Sequence, residues 1–197
     1  MNFLIGIDDT DNLESRGTGH CVRQLANWRT ENQLATPNGI TRHQLLVDPQ
    51  IPYTSHNSSA CLSVETENVE DVWEACREYL LRESAIGSDV GLCLCRLESV
   101  PGQVMEFGRR AKIEVLTMRE AEQTASDSGI RLAGLTGTGG RRHRSAGRHR
   151  LASRRGRWTL PLAAGAARTK RGLSRLPDLF ERPHRSHLYT GRDRLNF

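Results

Sequence analysis

Asp8, Asp9 and Asp11 stand within four residues of one another. Three carboxylates that close repel unless a cation neutralises them. Mg2+ suits such a set, because it prefers hard oxygen ligands and commonly takes one or two carboxylates together with substrate phosphates. The other reading is a solvated acidic turn in which Thr10 or Asp11 caps a neighbouring element, and these residues alone leave both open. Two glycine-rich stretches favour phosphate chemistry. Gly17-Thr18-Gly19-His20 precedes a helical pattern, and Gly134-Leu135-Thr136-Gly137-Thr138-Gly139 follows a strand pattern. Each can present backbone N–H groups to phosphate. Neither ends in the Lys and Ser/Thr of a Walker loop. The polar stretch at residues 51–59 adds His56 and Asn57 as candidate ligand contacts. Arg42 and His43 would bind phosphate or simply be solvated.

The elements around these residues follow from apolar periodicity. Phe3-Leu4-Ile5-Gly6-Ile7 reads as a buried strand running into the acidic loop. In open α/β sheets ligands gather at the carboxyl ends of strands. Cys21, Val22, Leu25 and Trp28 mark an amphipathic helix that Thr18 would cap. Pro37-Asn38-Gly39 reads as a turn, residues 44–47 as a strand and residues 60–64 as another. Val69, Val72, Trp73, Cys76 and Leu80 repeat at three-to-four spacing, the clearest helix in the chain. Residues 90–97 read as a strand with Cys93 and Cys95 on one face. Helices are predicted at 104–112 and 118–126, and a strand at 130–135 that runs into the second glycine loop. This alternation predicts an α/β or α+β fold.

The net charge of +5 over 197 residues conceals a division. Residues 1–140 carry 12 basic and 20 acidic side chains, whereas residues 141–197 carry 16 basic and 3 acidic ones. The first part reads as an acidic globular protein, the second as an arginine-rich segment of the kind that binds nucleic acid. Apolar runs fall far short of the roughly 18 residues of a membrane span. Acids appear too early at the N-terminus for a signal peptide, so a cytoplasmic chain is expected. Five cysteines without a CxxC pair argue against a disulfide framework and a zinc ribbon.

Ile5-Gly6-Ile7-Asp8-Asp9-Thr10-Asp11 resembles the GIDDTDS opening of the agmatinylcytidine synthetases, archaeal enzymes that modify the wobble cytidine of an isoleucine tRNA. Asn12 stands where that family has Ser, and Gly17-Thr18-Gly19-His20 fills its turn. Arg42, then Asp48-Pro49-Gln50-Ile51-Pro52-Tyr53, then His56-Asn57-Ser58-Ser59-Ala60 is similar to a second family stretch, with Ser55 and His56 replacing its Lys and Arg. Gly137-Thr138-Gly139 resembles the start of a third. The resemblance covers residues 1–140. It implies a short bacterial relative of the family's N-terminal region, with a kinase-like α/β domain and a ferredoxin-like α+β domain. It assigns residues 1–59 plus 129–140 to the first and 60–128 to the second. It further implies Mg2+ at Asp8, Asp9 and Asp11, these acids also serving catalysis. ATP would be held by Thr10, Gly17, Thr18, Gly19, His20, Asn57, Gly137, Thr138 and Gly139. The family's OB-fold and zinc ribbon are not seen in this sequence, so RNA is a possible partner but not a required one.

Two alternatives accompany this reading. Asp9-Thr10-Asp11 offers the paired acids of a haloacid-dehalogenase-like phosphatase, with Leu13 where Thr is usual and Lys112 as the core lysine. A nucleic-acid-binding protein would use the arginine-rich segment. That segment carries a further expectation. Read one base later, His143 and His149, where encoded as CAT, become isoleucine codons and Trp158 becomes a glycine codon, so that an apolar family-like helix can emerge. Residues from about 140 onward are therefore expected to be a frameshifted, disordered reading.

Overall fold

The computed structural model describes residues 1–51 and 57–137. Among these described residues there are five strands: β1 (Asn2–Asp8), β2 (Thr36–Gln44), β3 (Ser58–Glu65), β4 (Gly91–Arg96) and β5 (Arg131–Gly134). Helix α1 (Thr18–Glu31) joins β1 to β2, and α2 (Val69–Glu83) joins β3 to β4. Helices α3 (Gly102–Arg110) and α4 (Met118–Asp127) precede β5. The strands form one antiparallel sheet in the order β2-β3-β1-β4-β5.

Alternation along the strands sorts the side chains onto two faces. Phe3, Ile5 and Ile7 of β1, with Ala60, Leu62 and Val64 of β3, meet Val22 and Leu25 of α1 and Val72, Trp73, Cys76 and Leu80 of α2. On the opposite face Leu4, Cys61, Cys93 and Cys95 meet Val104 and Phe107 of α3 and Ala121 and Ala125 of α4. Helices thus cover both faces of the sheet, which is why β1 reads as a nearly unbroken apolar run. Cys93 and Cys95 lie on one face, as their spacing predicts.

Local signals fix the helix ends. Asn68 caps α2 by accepting the Asp71 N–H. Thr117 and Glu120 form a reciprocal capping box at α4. In α1 the N-cap is Gly17, which has no side chain to offer, and Thr18 is the first helical residue. The expectation that Thr18 caps α1 is therefore corrected: its hydroxyl serves the acidic loop instead.

Three other expectations change. The strand read at 44–47 is β2, which ends at Gln44. The supposed turn at Pro37-Asn38-Gly39 lies inside it as a bulge, with the register shifting between Pro37 and Gly39. Pro37 is tolerated because β2 is an edge strand. The ferredoxin-like β-α-β-β-α-β order occupies Asn2–Arg96, and not the 60–128 stretch. β3 and β4 pair with β1 on either side, so the sequence boundary near residue 60 falls within a single sheet. The arginine-rich segment at 141–197, with its expected disorder and frameshift, lies outside the described residues.

Candidate functional site

The sheet register brings distant residues to one end. Asp8 pairs with Gly91, Gly91 with Gly134, Ile7 with Ala60, and Gln44 with Ser58. The carboxyl ends of β1, β2 and β5 therefore lie beside the amino ends of β3 and β4. An antiparallel sheet does this gathering, rather than the parallel sheet whose strand-end rule the sequence invoked.

The acidic loop leaves β1 at this end and is fastened on both sides. Asp8 is buried at 8% exposure, and its Oδ1 accepts the Asp9 N–H at 3.0 Å. Asp9 adopts a left-handed backbone, φ +48°, a region Asp tolerates better than most residues. Its Oδ2 accepts the Asp89 N–H at 3.2 Å. Thr18 Oγ1 accepts the Thr10 N–H at 3.2 Å and donates to Asp11 Oδ1 at 3.0 Å. The Thr18 N–H also donates to Asp11 Oδ1. On the far side the Ala85 N–H donates to the Thr10 carbonyl at 3.0 Å, and Asn12 Nδ2 to the Ile86 carbonyl at 3.2 Å. The three acids are thus turned towards different neighbours.

A cleft of about 410 Å3 opens at the start of α1, lined by Asp11, Gly17, Thr18, Gly19 and His20 together with Arg16, Arg23, Arg42 and Ser58. No acid occupies the first turn of α1, and the carboxylate that meets the positive end of the helix dipole is that of Asp11, from the acidic loop. A side chain at position 19 would come within 3.7 Å of Arg23 Nη1 and 3.8 Å of Arg42 Cδ. Glycine there leaves the backbone open beneath the two arginines. Arg42 Nε donates to Ser58 Oγ at 3.1 Å, which anchors that guanidinium to β3. Partial burial lowers the His20 pKa below its usual 6.5, and Arg16 and Arg23 lower it further. The cleft therefore concentrates positive charge in a region whose overall charge is negative. Sequence reading singled out the glycines, His20 and Arg42 but missed Arg16 and Arg23. Their only signal is that they flank the Gly-Thr-Gly-His turn.

The second glycine stretch meets the acidic loop through residues 88–90, which lead into β4. Thr136 Oγ1 accepts the Val90 N–H and donates to the Ser88 carbonyl. Gly137 takes φ +56°, and a Cβ there would lie 2.6 Å from Asp89 Oδ1. Asp89, 3% exposed, is a site neighbour that sequence reading missed, since a single acid before a strand carries no pattern. Asn57 is not brought into the cleft. Its Nδ2 donates to the Leu46 carbonyl, and its own carbonyl accepts the Leu45 N–H. Asn57 therefore secures the chain after β2. His56, Thr138 and Gly139 lie outside the described residues.

Among the described residues no three His, Cys, Asp or Glu side chains are grouped closely enough to hold a metal ion. A cage made wholly of protein ligands is thus not assembled there. The buried Asp8 and the adjacent Asp9 fit the different demand of Mg2+, which keeps waters and accepts phosphate oxygens alongside one or two carboxylates.

Solved structures match this fold. The complex of TiaS with its isoleucine tRNA and ATP aligns with a TM-score of 0.61 at 24% identity, over 71% of this chain and 33% of that one. Apo TiaS, an agmatidine synthetase acting on that tRNA, gives 0.59 at 23%, over 70% and 32%. Its complex with the tRNA, AMPCPP and agmatine gives 0.58 at 23%, over 69% and 33%. The chain has the fold of part of agmatidine synthetase. The enzymes suggested by the Asp8-Asp9-Thr10-Asp11 opening are those whose structures share its architecture. This chain spans about a third of the agmatidine synthetase chains it matches. No family model and no curated protein matches it. No helix among the described residues is long and apolar enough to cross a membrane.

Proposed function

We propose that this protein binds ATP or a related nucleoside polyphosphate with its phosphates in the cleft at the start of α1, and uses it with Mg2+ for phosphoryl transfer or ATP hydrolysis. The observation that carries the reading is that Arg16, Arg23 and Arg42 line one cleft with Gly17 and Gly19 at the start of α1, Arg23 and Arg42 standing beside Gly19. That combination of guanidinium groups and a helix N-terminus is built for phosphate. The neighbouring fold is found with ATP and AMPCPP in agmatidine synthetase complexes, which supports a nucleotide as ligand and RNA as a candidate second substrate.

Catalysis of this class is mostly positioning and charge neutralisation. Arg16, Arg23 and Arg42 would hold phosphate oxygens, and Gly17 to Gly19 would supply close backbone approach. Asp8 and Asp9 would hold Mg2+, whose contribution is to neutralise phosphate charge. One of these two carboxylates would take the proton of the phosphate acceptor. Asp11, bound twice by Thr18, holds the loop against α1. The paired-acid phosphatase reading gains no support from this geometry, since Asp9 and Asp11 face Asp89 and Thr18 respectively.

Titration calorimetry with Mg-ATP tests the proposal. Arg23→Ala and Arg42→Ala are each expected to weaken binding about tenfold, and Asp8→Asn to remove its dependence on Mg2+. Unchanged binding in all three variants overturns it. RNA binding that needs residues 141–197, falls steeply with salt and occurs without ATP binding would favour the nucleic-acid reading instead. The frameshift belongs to the same proposal: a shifted frame from about residue 140 would cost this chain the phosphoryl-transfer step and leave its nucleotide binding to be measured. Resequencing the coding DNA around Gly139 decides it, and an intact frame in native protein overturns it.

A further inference from the structure

A second cavity, of about 290 Å3, adjoins the arginine cleft: Arg16 and His20 line both. Its remaining walls have a different chemistry. Gln24 and Cys21 come from α1, Tyr79 and Glu83 from α2, and Thr10 from the acidic loop. His20 and Gln24 are four residues apart on α1, so they share a face of the helix, roughly 6 Å apart along its axis. The two cavities therefore follow one another along α1, the cationic one at its start and the mixed polar one a turn further on.

Glu83 decides what the second cavity can take. A carboxylate repels a further phosphate but offers two acceptor oxygens to neighbouring hydroxyl donors. Its Oε1 accepts from Arg82 Nε at 2.7 Å. Arg82 lies over both the Trp28 ring, at 5.9 Å, and the Tyr79 ring, at 5.6 Å. Tyr79 itself packs on Trp28 with ring centroids 5.3 Å apart. The carboxylate is thus held at the cavity through a stacked assembly and not by its own flexible chain alone. Burial pushes the Tyr79 phenol up to about 12, so it remains a neutral donor. An uncharged group rich in hydroxyls, linked to phosphates, meets these conditions.

We propose that this cavity takes the nucleoside half of the nucleotide, with Glu83 accepting the ribose 2′- and 3′-hydroxyls, an assignment that rests on the phosphate reading of the arginine cleft. The site thereby selects ribonucleotides over their dideoxy counterparts. Cys21 lies in the same wall and is half-buried, whereas the other four cysteines are buried. It is a built-in reporter of occupancy.

The test uses the full chain and its Glu83→Gln variant, titrated with Mg2+ and, in turn, ATP, 2′,3′-dideoxy-ATP and inorganic tripolyphosphate. Alkylation of Cys21 at alkaline pH is followed in parallel. Glu83 is exposed, so the variant is expected to fold, and its circular dichroism checks this. ATP should bind the parent chain about tenfold more tightly than dideoxy-ATP. Glu83→Gln should close most of that gap and leave tripolyphosphate binding unchanged. ATP should slow Cys21 alkylation more than tripolyphosphate does. If tripolyphosphate binds but the ribose preference is absent or survives Glu83→Gln, the nucleoside assignment falls and the phosphate reading stands. If neither ATP nor tripolyphosphate binds, both fall.

Discussion

Asp11 Oδ1 accepts both the backbone N–H and the hydroxyl of Thr18, at 3.2 and 3.0 Å. One carboxylate oxygen thus joins the acidic loop to the first residue of α1, and it supplies the cap that the side-chain-less Gly17 cannot. Asp11→Ala should cost about 2 kcal/mol, the loss of a cap and of a buried hydroxyl's acceptor. Asp11→Asn keeps a carbonyl acceptor and should cost less than half as much. Urea unfolding of the two variants measures the difference. If Asp11 acted chiefly as a metal ligand, both variants would keep their stability and lose Mg2+ dependence equally.

Gly137 and Gly17 form a contrasting pair. At 137 the backbone is left-handed and a Cβ would meet the Asp89 carboxylate at 2.6 Å, whereas at 17 nothing lies within 4 Å. Gly137→Ala should destabilise the fold by about 2 kcal/mol or more. Gly17→Ala, at an N-cap with extended backbone, should cost roughly a few tenths of a kcal/mol beyond the usual preference for glycine there. Parallel denaturant curves should separate them clearly.

His20 is expected to make stability, and the proposed ligand binding, depend on pH. Burial comes first among the causes of its lowered pKa, followed by Arg16 and Arg23. Between that lowered value and 6.5 the unfolded chain binds more protons than the folded one, so stability is fully present above 6.5 and declines as pH falls below it. An anion in the cleft would oppose the two arginines and raise the His20 pKa. Phosphate-bearing ligands should therefore bind with proton uptake in the same window. Calorimetry in two buffers of different ionisation heat detects the uptake, and His20→Ala should abolish it.

Arg29 is fully buried, at 0% exposure. Its Nη2 donates to the Val72 carbonyl, and its guanidinium lies 5.5 Å from the Trp28 ring centre and beside the Cys76 thiol, but among the described residues Nε and Nη1 meet no N or O hydrogen-bond partner. Such a charge is costly to bury, and a hydrophobic residue of similar volume is often no worse. Arg29→Met should be neutral or stabilising by about 1 kcal/mol, while Arg29→Ala should lose about 2 kcal/mol or more to a cavity. Thermal unfolding with both variants checks the ordering.

Much of this architecture is legible in the residues. Val69, Val72, Trp73, Cys76 and Leu80 announce α2 because its buried face keeps a strict helical spacing. Thr117 and Glu120 mark the start of α4, although periodicity alone placed that helix. β2 is hidden because Pro37, Asn38 and Gly39 have turn chemistry, and an edge strand absorbs them through a bulge that no local pattern encodes. The antiparallel order is equally hidden, since pairs such as Asp8 with Gly91 depend on cross-strand register. For the site, the acidic loop and the Gly17-Thr18-Gly19-His20 turn stand out by composition. Arg16, Arg23, Asp89 and Glu83 do not, because each is an ordinary surface residue type until the fold sets it beside the others.

The bulge in β2 has a consequence for how copies of this protein meet at high concentration. An edge strand with an unbroken row of N–H and C=O groups is a template for stacking chain upon chain. Here the register shifts between Pro37 and Gly39, and Pro37 has no N–H to offer. The opposite edge, β5, is only four residues long. Among the described residues neither edge provides a long regular ladder, and each carries an arginine, Arg42 on β2 and Arg131 on β5, a combination that disfavours edge-to-edge stacking of copies.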